Sequence, residues 1–397
     1  MNVTHGYRWT IMWLMTFCLF AHAITFQSIP PILGILVTTF GISYARAGGL
    51  MSLYSLPRIF LALPGGVLVD RYGAKRIGSV ALLAMALGTT TVSLAGSYWV
   101  LGLGRLVAGA GVTVFNVISP MAITSWFHDR EIGLSMGVFN TAMPFGTILA
   151  LNFMGVIALR FGWRTPISIT LVSCILALCL FLMLYRKREY ERHVNKEKMD
   201  LSTTIKKAGL GIWLVGSAWA LFNASQITYF TYAPDYFITL GEDITHAGLL
   251  ASYPMWGAMI LSPLVGIMID KIGKKWLMIS VSFGAMAVLY YLMPRFPAHS
   301  AMYAISLGVF AALLPPAIFA LPAELLPPSV MGLGFGIIGT SVGVGAALGP
   351  YVAGSLRDVT GNYMWSFNAM AIFAVLGVLT MLLLDGQKGK AMQHNRG

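Results

Sequence analysis

Twelve apolar segments, separated by short polar turns, make up most of the chain. Each is long enough to cross a hydrocarbon core of roughly 30 Å as a helix, at about 1.5 Å per residue. Many contain Gly and Pro, which membrane helices tolerate better than soluble ones do. The pattern therefore predicts an all-α membrane protein with twelve transmembrane helices. Their predicted limits are 8–34, 44–69, 77–96, 98–126, 131–158, 164–185, 208–236, 245–269, 276–294, 300–322, 329–355 and 363–384.

The composition is typical of a membrane protein. Hydrophobic residues form 57% of the 397 residues, and charged residues only 10%. A soluble protein of this length would lack the polar side chains to cover so much apolar surface. The first apolar run, from Tyr7 to Phe40, is longer than the core of about 7–15 residues found in a cleavable signal. We therefore expect this run to form the first membrane helix.

The positive charge of the chain lies in the turns between the apolar segments. The formal net charge is +12, but the basic residues form no tail or face typical of nucleic-acid binding. With the N-terminus inside, 19 of the 26 Lys and Arg residues fall in cytoplasmic segments, 5 fall outside and 2 lie within spans. Because cytoplasmic loops carry an excess of Lys and Arg, this distribution predicts a multi-pass protein of the cell (inner) membrane. Both termini are predicted to be cytoplasmic, with the lipid bilayer and no nucleic acid among the partners.

The longest polar stretch, RKREYERHVNKEKMDLSTTIKK, lies between the sixth and seventh apolar segments. It is rich in Lys, Arg and Glu, and it is predicted to form a helix on the cytoplasmic surface. It divides the chain into three parts. These are an N-terminal six-helix bundle (1–185), a cytoplasmic interdomain linker (186–207) and a C-terminal six-helix bundle (208–397).

A short charged motif occurs at the same place in each half of the chain. GVLVDRYGAKR at 66–76 and GIMIDKIGKKW at 266–276 both separate the second and third spans of their half, at an offset of 200 residues. Weak internal symmetry of this kind is expected of two pseudo-symmetric bundles. The residues of interest are Gly66, Asp70, Arg71, Gly73, Lys75 and Arg76 in the first copy and Gly266, Asp270 and Lys271 in the second.

This doubled turn resembles the signature loop of the major facilitator superfamily. Arg105, in GLGRLVAGAGVTV, resembles the arginine motif of that family's fourth span. GVFNTAMPFGTILALN at 137–152 and GIIGTSVGVGAALGPYVAG at 336–354 sit where the family has its Gly/Pro-rich fifth and eleventh spans. The resemblance covers essentially the whole chain. It implies a transporter built from two six-helix bundles.

The resemblance also implies a gating role for the doubled motif. Asp70, at the cytoplasmic mouth, could face the positive N-terminal end of a helix in the other half. The basic residues of the motif could reach carboxylates while an inner gate is closed, which would bias one of two states. Glu324, in PAELLPP, is the candidate carboxylate partner. The alternative is that these charges only set the topology of the chain.

Ionisable side chains inside the spans are candidates for substrate binding, because a charge at the centre of a membrane helix is costly. Arg58 follows Pro57, shares a helix face with Tyr54 and has no acidic residue within two turns. It indicates an anion site or, alternatively, an arginine bonded to backbone carbonyls. Arg105 either contacts substrate or ties the fourth span to a neighbour. His22 either carries a coupled proton or is a hydrogen-bonded core residue.

Polar and aromatic residues also follow one stripe of the seventh span, in FNASQITYFTYAPDYF at 222–237. Residues spaced by three or four share a helix face. The stripe therefore indicates the wall of a substrate cavity, with helix–helix hydrogen bonding as the alternative. The candidates are Asn223, Gln226, Tyr229 and Tyr232 in the seventh span and Tyr253 and Trp256 in the eighth.

The acidic residues of the sequence all lie near the ends of spans or in loops, so two membrane arginines face no carboxylate at mid-membrane. This balance favours an anionic substrate. We expect a secondary active transporter that moves a small organic anion of carboxylate type by alternating access, with a proton as the candidate co-transported ion of a symport. The alternatives are a nitrate-like inorganic anion carrier and a drug or metabolite efflux pump.

Enzyme signatures are missing from the sequence, which has no HExxH, GxSxG or phosphate-loop motif. Cys18, Cys174 and Cys179 lie within apolar spans and lack the spacing of metal ligands. We expect them to be small core residues. We therefore expect no catalytic residues, no metal and no cofactor, and a protein that works as a monomer.

Overall fold

The computed structural model describes residues 3–127, 131–186, 209–272, 275–326 and 331–394. These ranges are almost entirely helical and contain no β-strand, so the all-α prediction is confirmed for them. Ten of their helical segments are long and apolar enough to cross a membrane, and the bent pair Tyr44–Ala62 and Pro64–Tyr72 adds an eleventh. The helix Ile244–Ile272 occupies the place of the remaining predicted span.

The chain forms two compact units. Unit 1 contains residues 1–193 together with 230–252, and unit 2 contains residues 194–229 and 253–397. The helices that begin in unit 1 are α1 (Val3–Phe26), α2 (Leu33–Phe40), α3 (Tyr44–Ser55), α4 (Pro57–Tyr72), α5 (Ala74–Ser93), α6 (Tyr98–Trp126), α7 (Ile132–Leu149), α8 (Gly155–Phe161) and α9 (Arg164–Leu184).

Unit 1 is built around α1, α5 and α6. Helix α5 packs along α6 and α9, while α1 packs along α7 and α9, and α6 also contacts α3 and α4. The α5–α6 contact is close because Gly88 lies against the backbone of α6, where an added Cβ would come within 3.0 Å of Ala108. Small residues of this kind let membrane helices approach backbone to backbone.

Besides the bent second span, the first and fifth spans of unit 1 are interrupted. Helix α1 ends at Phe26, and the chain passes through a 3₁₀ turn at Pro30–Ile32 before α2 begins. Consecutive prolines cannot donate the backbone hydrogen bonds that would extend α1. In the fifth span, a π-helical segment, Ala150–Met154, separates α7 from α8. Segments of this type often mark functional positions in helices.

Unit 2 holds the remaining helices. Helix α12 packs against α13 and α16, and α15 packs against α16. Gly345 on α15 lies against the Ala220 carbonyl of α10, where a Cβ would come within 3.0 Å. The helices are α10 (Gly209–Thr239), α11 (Ile244–Ile272), α12 (Lys275–Leu292), α13 (Ser300–Ala320), α14 (Pro322–Leu325), α15 (Met331–Thr360) and α16 (Met364–His394), of which α10 and α11 also extend into unit 1.

The observed helix limits differ from the predicted ones by a few residues in most spans. The first span continues to Phe40 because α2 follows the break, and the last continues to His394. The predicted linker, 186–207, lies outside the described residues apart from Arg186. Residues 230–252, which include the turn between α10 and α11, group with unit 1. We call them the hairpin tip.

Candidate functional site

A polar cluster lies inside unit 1, where His22 on α1, Tyr54 on α3 and Arg105 on α6 come together and Arg58 on α4 follows one helical turn after Tyr54. The Nδ1 atom of His22 lies 3.0 Å from the Tyr54 hydroxyl. The two rings are stacked, with centroids 5.8 Å apart and planes at 4°. Both residues are buried. The structure thus joins two of the sequence-predicted site residues in one hydrogen-bonded pair.

Most hydrogen-bond donors of the Arg105 guanidinium bond to the protein itself. Its Nε donates to the Leu50 carbonyl at 3.2 Å, and its Nη1 and Nη2 donate to the Thr25 and Phe26 carbonyls at 2.7 and 3.0 Å. Nη2 also contacts the sulfur of Met51 at 3.3 Å. Four of its five N–H donors are therefore occupied. The geometry favours the interpretation that Arg105 ties the fourth span to its neighbours.

The bonds of Arg105 also explain how the break in the first span is stabilised. Thr25 and Phe26 are the last residues of α1, so their carbonyls have no donor further along that helix. The C-terminal end of a helix carries a partial negative charge of about half an electron. A buried guanidinium, only 2% exposed, supplies both the donors and the opposite charge.

The placement of Tyr54 follows from a glycine on α6. A Cβ added to Gly109 would come within 3.0 Å of the Tyr54 backbone, so α3 and α6 cross in direct contact at this point. One helical turn earlier on α6, the guanidinium of Arg105 lies 4.2 Å from the centre of the Tyr54 ring. This cation–π contact orients the ring whose hydroxyl meets His22.

Arg58 has different surroundings from Arg105. Within the described ranges its guanidinium makes no hydrogen bond or ion pair, and the side chain is partly exposed. It lies one helical turn after Tyr54 in the continuous helical stretch Tyr44–Ala62, at the edge of the polar cluster. The predicted alternative, hydrogen bonding to backbone carbonyls, is not observed among those residues. The N–H groups of Arg58 thus have no hydrogen-bond partner in the part of the chain that the structure describes.

The predicted cavity residues of the seventh span make several contacts inside the protein. The Tyr290 hydroxyl donates to Oε1 of Gln226 at 2.7 Å, and Nδ2 of Asn223 donates to the Trp219 carbonyl at 2.8 Å. Tyr229 is fully buried, with its ring 6.1 Å from that of Tyr290. The Gln226 bond, which joins α10 to α12, agrees with the alternative of helix–helix hydrogen bonding.

Sequence reasoning missed Trp219 in unit 2. Its indole Nε1 is buried without a hydrogen-bond partner among the described residues. The ring stacks on Phe222 at 5.1 Å and meets Phe319 edge-on at 5.3 Å. The signal is present in the sequence, because Trp219, Asn223 and Gln226 follow one another at i, i+4 and i+7.

The hairpin tip is attached to unit 1 by polar contacts that the sequence did not indicate. Asn152, in the π-helical segment, donates from Nδ2 to Oγ of Ser252 at 3.0 Å. The Tyr232 hydroxyl donates to the Tyr44 carbonyl at 3.0 Å. Gly248 lies directly on the Leu151 carbonyl, where a Cβ would come within 3.0 Å.

The other two aromatic candidates of the eighth span differ in exposure. Trp256 is 39% exposed, and Tyr253 is partly buried. Both lie on α11 in unit 2, close to the boundary of the hairpin tip.

The charged turns make contacts within each unit. In unit 2, Nζ of Lys275 lies 2.7 Å from Oε1 of Glu324, so the predicted latch carboxylate has a partner in its own half. In unit 1, Arg8 forms a two-bond ion pair with Glu131, with Nη2 to Oε1 at 2.9 Å. Arg71 lies over the Tyr72 ring at 5.3 Å.

The remaining charged residues of the doubled motif are exposed in the first copy and lie outside the described side chains in the second. Asp70, Lys75 and Arg76 are exposed at the first turn, and Gly73 adopts a positive φ of 87°, which ends α4. The side chains of the second copy, Gly266, Asp270 and Lys271, lie outside the described part of the chain. The latch itself stays a prediction.

Metal-binding chemistry has no visible basis in the described ranges, which contain no group of three or more His, Cys, Asp or Glu side chains that could hold an ion. Cys18 and Cys174 are buried, as expected of core residues. Cys179 is instead exposed, because it lies on the outward apolar face of α9 with Leu176 and Leu182.

Comparison with known proteins agrees with this architecture. The family model described as Major Facilitator Superfamily matches residues 15–243 and 214–396. A bacterial homolog of the human lysosomal transporter Spinster, solved in an inward-facing and occupied conformation, has a TM-score of 0.78 at 15% identity, covering 96% of this chain and 97% of its own. The chain belongs to the major facilitator superfamily. It is a multi-pass membrane transporter with the twelve-helix, two-bundle fold, and not an enzyme.

Two curated relatives are similar over most of their length. The lysosomal dipeptide transporter MFSD1 of Danio rerio is 27% identical over 368 residues, which cover 85% of this chain and 78% of the relative. The probable sulfoacetate transporter SauU of Cupriavidus necator is 23% identical, covering 87% of this chain and 86% of the relative. These relatives support secondary transport of a small organic molecule.

Proposed function

We propose that the protein is a secondary transporter of a small organic anion of carboxylate type and that it works by alternating access. The observation that carries the proposal is Arg58, whose guanidinium has no partner in the described ranges and which lies one helical turn from Tyr54, the partner of His22. A permanently charged side chain at this depth needs an anion or water for compensation. A transported carboxylate supplies this anion.

The energetic cost of Arg58 supports a functional role. An arginine near the centre of a membrane helix costs about 2.5–3.5 kcal/mol on insertion scales. Arg105 recovers this cost through bonds to three backbone carbonyls. Arg58 has no such bonds among the described residues. Its planar fork matches the two oxygens of a carboxylate, so bound substrate would offset the cost.

The named relatives are consistent with this substrate class. One carries the name of an organic anion, sulfoacetate, and the other that of dipeptides. At 23–27% identity they support a small organic substrate in general. The choice of an anion rests on Arg58 and on the position of the acidic residues at span ends.

We assign different roles to the members of the polar cluster. Arg58 binds the carboxylate, and the His22–Tyr54 pair contacts a neighbouring polar group of the substrate. His22 is the candidate carrier of a co-transported proton, because imidazole is the side chain that exchanges protons near neutral pH. Arg105 holds the broken first span and the Tyr54 ring in place. It is a positioning residue.

A ligand screen by thermal unfolding tests the proposal. The purified protein in detergent is heated with a panel of carboxylates, inorganic anions, neutral sugars and cationic drugs. A ligand that binds only the folded state raises Tm, by an amount that grows with its concentration relative to Kd. We expect one group of carboxylates to raise the Tm of the wild type and not that of Arg58→Gln.

Arg160→Gln is the matched control, because Arg160 is an exposed arginine at the end of α8 and lies outside the polar cluster. It should respond to the carboxylates as the wild type does. If only neutral or cationic compounds raise Tm, and they do so equally in the wild type and in Arg58→Gln, the anion proposal is wrong.

A further inference from the structure

We infer that the transported compound carries one negative charge and, a few bonds away from it, a neutral hydrogen-bonding group such as a hydroxyl or an amide. The inference rests on the proposed function and narrows its substrate class. Two observations support it. Arg105 is hydrogen-bonded to the protein whereas Arg58 is not, among the described residues, and the second ring nitrogen of His22 has no hydrogen-bond partner there.

The charge of the compound follows from the number of guanidinium groups in the polar cluster that are left to bind an anion. In the described part of the membrane spans, Arg58 and Arg105 are the arginines placed away from the ends of the spans, since Arg58 lies in the middle of the stretch that α3 and α4 form together. Four of the five N–H donors of Arg105 are occupied, three by the Leu50, Thr25 and Phe26 carbonyls and one by the Met51 sulfur. Among the described residues, Arg58 therefore supplies the one guanidinium of the polar cluster that makes no hydrogen bond to the protein.

One guanidinium fork binds one carboxylate through two parallel N–H···O bonds. A second carboxylate on the same compound would be buried in the cluster without a counter-ion. Burying an unpaired charge is strongly unfavourable. We therefore expect dianions to bind much more weakly than monoanions built on the same carbon skeleton.

The neutral group follows from the geometry of the pair. His22 and Tyr54 satisfy each other through Nδ1 and the hydroxyl at 3.0 Å. The other ring nitrogen of His22 has no partner among the described residues, so it can meet a polar atom of the substrate. Tyr54 and Arg58 are one helical turn apart, a spacing at which side chains lie about 5–6 Å from each other at Cβ.

A matched series of acids tests the inference by Tm shift and by uptake into proteoliposomes. On a three-carbon skeleton the probes are lactate (one charge), tartronate (two charges), lactamide (neutral) and propionate (no hydroxyl). On a six-carbon skeleton they are glucuronate, glucarate and glucose. We expect a hydroxylated monoanion to bind at least tenfold more tightly than its dianionic and neutral counterparts.

Variants separate the two parts of the inference. Arg58→Lys keeps the charge but loses the fork, so it should weaken all monoanions while keeping their advantage over dianions. His22→Gln should reduce the preference for lactate over propionate by about fivefold, the ratio expected for the loss of one hydrogen bond. It should leave the preference for a single charge unchanged.

Two results overturn the inference. One is a dianion that binds as tightly as its matched monoanion, and the other is a series in which no monoanion binds. If the dianion's binding is lost in Arg58→Gln, the organic-anion proposal survives without the single-charge refinement. If binding of every probe is independent of Arg58, both the proposal and the inference fail.

Discussion

Arg58 and Arg105 are the same residue type within membrane spans of unit 1, yet their surroundings differ. Arg105 is 2% exposed and donates to the Thr25 and Phe26 carbonyls at the end of α1, the first of which also accepts from the Ser28 hydroxyl. Arg58 is partly exposed and has open donors in the part of the chain that is described. A substitution at each position should therefore affect a different property of the protein: folding stability at Arg105 and ligand binding at Arg58.

Arg105→Gln should destabilise the protein even without ligand. Glutamine cannot reach the Thr25, Phe26 and Leu50 carbonyls together, so buried acceptors would lose charged donors. Hydrogen bonds to charged groups contribute about 1.5–3 kcal/mol each, so we expect the free energy of unfolding to fall by roughly 3 kcal/mol or more. The ligand-free Tm in detergent measures the loss.

Arg58→Gln is the comparison for this experiment, because it removes an arginine that has no protein bonds among the described residues. Its ligand-free Tm should stay close to that of the wild type. If Arg105→Gln instead keeps its Tm and loses only ligand binding, Arg105 contacts the substrate and its bonds to the backbone are secondary.

The sequence predicts which single residues are candidates for the site, but not the role of each. The positions of His22, Tyr54, Arg58 and Arg105 within the spans are enough to mark them as candidates. The sequence does not decide how the two arginines divide their roles. That division depends on the break in the first span, and the carbonyls freed there lie about 80 residues from Arg105 in the chain.

At the scale of helices, the hairpin tip and the π-helical segment form one contact region. Gly248 lies on the Leu151 carbonyl, and Asn152 bonds to Ser252. The side-chain amide of the π-helical segment thus helps to hold α11. This arrangement makes Gly248 the position where a single methyl group should separate the two elements.

Gly248→Ala should loosen the hairpin tip. The new Cβ would come within 3.0 Å of a backbone carbonyl, which cannot move aside as a flexible side chain would. With Ser252→Cys as a reporter in a chain whose native cysteines are replaced, we expect faster labelling by a membrane-impermeant maleimide. Gly284→Ala is the control, since its Cβ would meet nothing within 4 Å. Equal labelling rates in the two variants would contradict the prediction.

The start of α11 carries a pH-dependent cap. Oδ1 of Asp243 accepts hydrogen bonds from the backbone N–H groups of Thr245 and His246 at 2.8 and 3.1 Å. The bonds from His246 and then Thr245 lower the pKa of this loop carboxyl. Because the folded-state pKa lies below the unfolded one, the stabilisation is present at neutral pH and is lost as the pH falls through the lowered pKa.

Asp243→Asn should remove this pH dependence while keeping the cap, because asparagine is also a strong N-cap residue. Asp243→Ala should lose the cap at every pH. Tm measured between about pH 3 and 7 distinguishes the two variants. A wild-type curve that runs parallel to that of Asp243→Asn across this range would show that the carboxylate does not contribute.

The limits of the helices follow well from the sequence, because length and apolar content are local properties of each span. Helix α6 has the predicted limits, and α9 and α12 deviate by one or two residues. The breaks are harder to predict. Pro30 and Pro31 could have signalled the one in the first span, whereas the π-helical segment at Ala150–Met154 has no comparable signal.

At the scale of the whole molecule, the distribution of positive charge predicts its orientation. Of the 26 Lys and Arg residues, 19 belong to the segments on the side of both termini and 5 to the opposite side. Lys and Arg residues in short loops and near the ends of spans set the orientation of a membrane protein, and most of these residues lie there. The predicted linker contributes most to this excess.

Reporter fusions test this orientation directly. Alkaline phosphatase, which folds only outside the cytoplasm, should be inactive when fused after residue 397 and active when fused after residue 240, in the turn between α10 and α11. A fluorescent protein that folds in the cytoplasm should give the opposite result at the same two positions. Phosphatase activity at the C-terminus would reverse the predicted topology. It would also place the exposed Lys75 and Arg76 on the outer face, where they could not act as an inner gate.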